Sequence, residues 1–491
     1  MRRQYTHLTL VLCSLIFPLF SCHKVDEELD SISRQPGVYD LSRGSAFIGD
    51  TIEIRGKFNK AADLRFLFGG HEARIIGVDD RLVPKQAPVY DQGSSQIAVQ
   101  AYKVIVPDSI RGTLQVTARF GGLTYPVGTF SVRQPPPLIP GKVLVSTYAG
   151  SDPYGALEIH DDSLLKAKFG LIETMVVRPD GVIYTADFDY NSNMHYIREV
   201  SNGTVKTIAG GGAQMEGPGA DVYFGEVKGM AVDAQGDIYI AERTYDLVYY
   251  YPFSLIVKLD RNTHEVSVFA GRAFTDTDTS IVNDGPRLSA TFSDIGDISF
   301  DVDGNMYVAD FGNNTIRKIS AGGIVSSPVA TVSCDGFCSV LSGSQDGFGS
   351  EVRLSGPTQI AAALNGRVYF TEFSVLKELN PRSAEVTSIA GHPDDHIGKY
   401  GPLATTTFHE LRSVAPDAEG NILVVDGNSV LKIDLTARYA YILAGDGTQG
   451  YHNGSGEDAA FNGPTEVGFD AKGNFYVADR NNRLIRKITV Q

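Results

Sequence analysis

Residues 142–491 repeat one pattern, and this repetition constrains the fold more than any other feature of the chain. One marker is a short apolar strand closing on Ala-Gly, at 145–150, 205–210, 266–271, 386–391 and 440–445; the copy expected near 334 reads VATVSC instead. A second marker is a strand closing on a carboxylate, at Asp187, Glu242, Asp310, Glu372, Asp426 and Asp479, most of them preceded by a tight turn such as Asp303-Gly304-Asn305. The copies are about 58 residues apart, and their alternating Val/Ile/Tyr runs between Gly-containing turns predict short antiparallel strands. Long helices are not expected. The last copy stops at Gln491 after three strands, whereas Lys142 to Gly150 forms an orphan strand ahead of the first full copy. Pairing these two segments completes one sheet and removes the open edges that otherwise template aggregation.

The best-formed copies, VADFGNNTIRKI from Val308 and VADRNNRLIRKI from Val477, resemble NHL repeats. That resemblance implies a six-bladed β-propeller of four-stranded antiparallel blades, closed by the N- and C-terminal strands in one blade. It also implies a structural role for the recurring strand-end acid, although Glu242 and Glu372 depart from the Asp of the pattern and Ser333-Cys334 from Ala-Gly. Upstream, residues 36–133 resemble an IPT/TIG immunoglobulin-like domain. The motifs are Gly49-Asp50-Thr51-Ile52-Glu53-Ile54-Arg55-Gly56, Phe66-Leu67-Phe68-Gly69-Gly70 followed by Ala73, Val106-Pro107, and the closing Gly128-Thr129-Phe130-Ser131-Val132. The expected class is therefore all-β: an Ig-like β-sandwich, then the propeller over 142–491. Residues 134–141 hold four prolines and read as a semi-rigid linker.

The first 21 residues place Arg2 and Arg3 before an apolar run from Leu8 to Phe20, too short to span a bilayer and ordered like a secretory signal. The run ends Leu19-Phe20-Ser21-Cys22, which resembles a bacterial lipobox, so Cys22 is expected to carry lipid at the head of a tether over 22–35. Acyl chains burying methylenes at about 0.8 kcal/mol each would anchor the chain without a membrane-spanning segment. His23-Lys24-Val25-Asp26-Glu27-Glu28 resembles the acidic signal of lipoproteins sent to the outer face of the outer membrane. Cys334 and Cys338 then remain, in Cys-Asp-Gly-Phe-Cys, a spacing that suits a local disulfide better than a zinc site. A net formal charge of −15 argues against nucleic acid as a partner.

Long crossing loops, such as 272–290 and 392–407, are expected to crowd one face of the propeller with the second-to-third-strand loops, leaving short turns on the other. Two of those second-to-third-strand loops are aromatic. The first carries Phe188, Tyr190, His195 and Tyr196; the second carries Tyr245, Tyr249, Tyr250, Tyr251 and Phe253, with Arg243 at its base. Together they form a candidate ligand patch, because aromatic faces stack on sugar rings while Asp189, Asn191, Asn193, Arg243 and Asp246 offer polar partners. The absence of tryptophan counts against a glycan, and mutual packing of the tyrosines is the plain alternative. Asp301-x-Asp303-Gly304-Asn305 lacks the glycine and the closing Glu of a calcium loop. His392 and His396 sit in a proline-containing loop without the shared helix face of a metalloprotease motif. No catalytic residue, metal site or cofactor is therefore assigned. Lipoproteins of this layout resemble surface glycan-binding proteins that work beside a TonB-dependent transporter and its lipoprotein lid. The competing readings are a metal-assisted polysaccharide lyase or hydrolase, and a protein-interaction scaffold.

Overall fold

The computed structural model describes residues 37–41, 45–46, 51–57, 64–68, 70–84, 96–105, 113–120, 123–132, 142–151, 158–245, 252–273, 282–329, 332–335 and 337–490. The leader, Cys22, the proline-rich segment and Tyr249 to Tyr251 lie outside them. Among the described residues there are strands and five short 3-10 turns, and no α-helix. The chain divides into two units, residues 1–134 and 135–491.

In the first unit, alternation writes the sheet. Phe66, Phe68, Val116 and Ala118 are buried while their neighbours Arg65, Gln115 and Arg119 are exposed, as expected of strands with one covered face. The long strand His71–Pro84 serves two partners: its first residues pair with Arg65–Phe68 and the rest with Gln96–Ile105. Phe66 and Tyr102, one from each half, meet edge to face with ring centroids 5.7 Å apart.

The second unit holds, among the described residues, six antiparallel sheets of four or five strands, with the two-stranded hairpin of Val332–Asp335 and Phe337–Val340 between the third and fourth. Their first strands are Leu171–Val177, Glu226–Val232, Ile295–Phe300, Ile360–Ala362, Leu411–Pro416 and Glu466–Phe469, and these number the sheets one to six. Each first strand packs against the next, and that of the sixth sheet against that of the first, so the sheets form a closed cycle. A separate cluster of buried aliphatic and aromatic side chains fills the space between neighbours; Ile240, Val308, Phe370, Val424 and Val477 are wholly buried. Burying each such side chain contributes about 1.5–3 kcal/mol, which is why the strands read as apolar runs. The fourth strand of the sixth sheet is Val143–Ala149, paired antiparallel with Leu484–Val490.

Two recurring features of the sequence have local causes. The Asp of the first-to-second-strand turn folds its carboxylate over the turn. Asp301 Oδ1 accepts from the N–H groups of Asp303 and Asn305 at 3.0 and 2.8 Å, and Asp470 Oδ1 does the same for Lys472 and Asn474 at 2.9 and 3.0 Å. The closing glycine of Ala-Gly lies at positive φ where the fourth strand leaves the sheet; at Gly391, a Cβ would stand 2.0 Å from the carbonyl oxygen of Ser374.

Candidate functional site

The second-to-third-strand connections, with the 3-10 turns Phe311–Asn313 and Arg480–Asn482 among them, share one end of the cycle. First strands enter that end through a bulge. Glu173, Lys228, Gly296 and Arg412 are each skipped by the pairing register, and an extra residue in a strand re-aims its side chain. Glu173 and Lys228 thus help to line a cavity of about 310 Å³ with Phe188, Tyr190, His195 and Arg480.

Within it, Phe188 meets Tyr190 edge to face at 5.2 Å and His195 at 5.0 Å. Tyr190 is 60% exposed and His195 8%. Burial lowers the His195 pKa below its usual value, so the ring is neutral at pH 7. Every cation around the cavity already has a carboxylate. Arg480 grips Glu173 with two bonds, at 2.8 and 3.0 Å; Lys228 donates to Glu226 at 2.7 Å; Arg243, which is not part of the lining, lies 3.8 Å from Glu226 and 4.0 Å from Asp294. Such pairs hold donors and acceptors in fixed directions without a net charge.

The loop behind Tyr190 holds itself. Asp189 Oδ1 accepts from Asn191 N–H at 3.0 Å and Oδ2 from the Ser192 hydroxyl at 2.8 Å, while Asn193 takes positive φ. Asp189 therefore shapes the loop. Tyr196 does not join the cavity: its hydroxyl lies 3.3 Å from Ser192 Oγ and its ring packs over Gly211, where a Cβ would stand 2.7 Å from Cε1. Phe253 is buried in its strand, and the backbone of Tyr245 pairs with Pro252 at the foot of the second loop. Tyr249, Tyr250, Tyr251 and Asp246 fall outside the described residues. Glu173, Glu226, Lys228 and Arg480 were missed in the sequence; their signal was a charge inside an otherwise apolar first strand, or just after a strand-end acid.

The strand-end acids point inward and are consumed by the fold. Glu242, Asp310, Glu372 and Asp479 accept from the N–H groups of Gly225, Ser293, Ser355 and Asn462 at 2.7–2.9 Å, and Asp426 from those of His409 and Glu410. Four sheets add a buried cation: Arg198 on Asp187, Arg317 on Asp310, Lys377 on Glu372 and Arg486 on Asp479. Val257 and Leu431 occupy that register position in sheets two and five. Burial raises Asp187, Asp310, Glu372 and Asp479 despite their cations, and it pushes Glu242 up to about 7.

The first strands of all six sheets line a central cavity of about 290 Å³, with Asp297 and Glu466 as its acids and no histidine among its walls. Ser413 donates its hydroxyl to Glu466 at 2.5 Å, and Asp297 accepts from Ile360 N–H at 3.1 Å. Burial pushes Asp297 up to about 7; burial and the charge of Asp297 raise Glu466 well above the carboxylate range. The rim histidines remain apart. His396 lines a cavity of about 260 Å³ beside Glu372 and Phe373, His392 Nδ1 accepts from Asp394 N–H at 3.2 Å, and His452 Nδ1 lies 2.9 Å from the Asp458 carbonyl. Among the described residues no group of three or more His, Cys, Asp and Glu side chains is placed to hold a metal ion.

Neither a protein-family model nor a curated protein matches the chain. Solved structures do. A Bacteroides thetaiotaomicron protein of unknown function is 15% identical, covering 93% of this chain and 98% of its own, with a TM-score of 0.52. A Bacteroides ovatus protein described as an auxiliary nutrient binding protein is 12% identical, covering 94% and 99%, with a TM-score of 0.51. Another of the same description, from Bacteroides thetaiotaomicron, is 12% identical, covering 93% and 98%, with a TM-score of 0.50. At such identities the likeness is one of all-β fold.

Proposed function

We propose that the chain is a lipid-anchored surface protein that binds a glycan at the loop-bearing mouth of a six-bladed, NHL-type propeller, as an accessory to outer-membrane nutrient uptake. The observation that carries the glycan reading is the cavity at Phe188 and Tyr190. An exposed tyrosine set edge-on to a second ring stands beside paired charges that leave hydrogen-bonding directions but no net charge, an arrangement suited to a ring with an apolar face and hydroxyl edges. The fold shared with two Bacteroides proteins described as nutrient binding supports an accessory binding role. The lipobox-like Leu19-Phe20-Ser21-Cys22 supports anchoring through Cys22 in the outer membrane, facing outward, and the motifs of residues 36–133 support an IPT/TIG spacer. In this reading Tyr245, Tyr249, Tyr250 and Tyr251 extend the platform, and a TonB-dependent transporter with its lipoprotein lid receives the ligand.

The test is retardation of the purified protein in gels containing a panel of polysaccharides, with an assay for new reducing or unsaturated ends alongside. Retardation that disappears in Tyr190→Ala, with no product formed, is the expected result. Product formation would make the chain an enzyme, and mobility unchanged across the panel would abandon the glycan in favour of a protein ligand.

A further inference from the structure

A cavity of about 630 Å³ in the second unit lies between sheets two and three beside the first-to-second-strand turns, and its lining shares no residue with the cavity at Tyr190. We propose that it is a second binding site, for a neutral hydroxylated ring compound the size of a short oligosaccharide. This inference does not rest on the reading of the mouth.

Its lining departs from the repeat where the fold does not require it to. Arg287 gives its backbone N–H to Gly323 at 2.9 Å. The other five sheets make the same bond from Leu164, Gly219, Gly349, Leu403 and Gly456, so the position needs a backbone and no particular side chain. Phe269 stands where the other copies have Tyr148, Ile208, Pro328, Ile389 and Leu443, and Phe300 where they have Val177, Val232, Ala362, Pro416 and Phe469. In no other sheet interface do two phenylalanines and an arginine coincide at these positions.

Both phenylalanines stay partly exposed, each edge-on to Tyr239, at 4.8 and 4.9 Å. The Arg287 guanidinium lies 4.6 Å from the Phe269 ring centre and donates Nη1 to the Phe269 carbonyl; no ion pair is formed by it among the described residues. A guanidinium carries five N–H donors, so it retains capacity to donate into the cavity. Acceptors in the same lining are the Asp303 carboxylate and the remaining lone pairs of Asp233 and Asp301, whose oxygens also bind their own turns and, for Asp233, the Tyr239 hydroxyl at 3.2 Å. Three acids against one cation disfavour an anionic ligand and favour hydroxyl groups, which donate to carboxylates and accept from guanidinium. The volume falls within the range of small-molecule sites, roughly 300–1,000 Å³.

The test is calorimetric titration of the purified protein with cellobiose, maltose, lactose and N,N′-diacetylchitobiose, and with glucuronate as the anionic comparison. The variants are Arg287→Leu and Phe269→Ile, residues that other copies carry at these positions, with melting temperature as the folding control. Expected is binding of at least one neutral disaccharide that each variant weakens roughly tenfold or more at unchanged melting temperature, while Tyr190→Ala leaves it intact. Binding untouched by both variants, glucuronate binding in preference to every disaccharide, or no disaccharide binding at all would each overturn the proposal. Loss of binding in Arg287→Leu but not in Tyr190→Ala would leave this site standing although the one at the mouth failed.

Discussion

Arg317 illustrates how a single side chain ties a sheet to the loop that precedes it. It is wholly buried, and it donates to Asp310 at 2.9 Å, to the Thr291 and Asn283 carbonyls at 2.8 and 2.9 Å, and to Asp284 at 2.7 Å. Replacing it with leucine, which sheet five carries as Leu431, leaves Asp310 buried without its cation. The expected loss is about 3 kcal/mol in denaturant unfolding, the scale for breaking one side of a buried pair; no change in midpoint would mean that the N–H of Ser293 and Asn313 suffice. Glu242 already lives without a cation. Its folded pKa of about 7 exceeds the ordinary glutamate value of 4.5, so between these values the folded chain keeps a proton that the unfolded chain has lost. Stability contributed by that proton therefore falls as pH rises from 4.5 to about 7 and is gone above it, a difference of about 3 kcal/mol. Glu242→Gln should flatten this part of the stability profile, leaving the part due to the other carboxylates that burial raises, Asp187, Asp297, Asp310, Glu372, Glu466 and Asp479; a profile identical to wild type would refute the assignment. The periodicity of the six acids marked them as structural in the sequence. The absence of their cation in sheets two and five was also in the text, as Val257 and Leu431, but only the strand register shows which residues those are.

Strands were legible because apolar alternation and Ala-Gly endings mark where each begins and stops: VKTIAG, VTSIAG and AYILAG fall on Thr204–Gly210, Glu385–Gly391 and Tyr439–Ala444. Bulges were not. A bulge at Glu173 or Lys228 shifts the side-chain alternation by one residue without any residue type that announces it, so charges that belong at the mouth read as interruptions of a core strand. The strand Val143–Ala149 stands far from its partner Leu484–Val490 in sequence yet fills the fourth place of the sixth sheet, between Leu484–Val490 and Gly454–Ser455. Deleting residues 142–150 exposes the edges of Leu484–Val490 and Gly454–Ser455 together. We expect a fall in melting temperature with loss of monomer in size-exclusion chromatography; a monomer that melts as wild type would show the strand to be dispensable. Cys334 and Cys338 are direct partners in the hairpin of Val332–Asp335 and Phe337–Val340. The disulfide expected from their spacing predicts an intact mass two hydrogens lower before reduction and no alkylation without it. Alkylation of both thiols in the untreated protein would exclude it.

At the scale of the molecule, six sheets in a cycle leave two ends and a central cavity. The sequence reads a long aromatic loop in sheet one, but that connection is only Tyr190 to Asn193, with Phe188, His195 and Tyr196 on its flanking strands; Phe188 and Tyr190 nevertheless meet at the mouth. The sequence did not separate Tyr196 from them, because a string of aromatics gives no direction: Tyr196 lies over Gly211 while Tyr190 faces solvent. Nor did it supply Glu173 and Arg480, which come from opposite ends of the repeat and are neighbours only because the sixth sheet packs against the first. The groove at Arg287 was hidden for a similar reason, its walls belonging to different sheets. Whether the mouth at Tyr190 holds a glycan is decided by an equilibrium titration of wild type and Tyr190→Ala with the polysaccharide that retards the protein most strongly. If it does, affinity falls at least tenfold in Tyr190→Ala, a loss of about 1.4 kcal/mol or more, at unchanged melting temperature. Equal affinity in the two proteins would contradict the glycan reading.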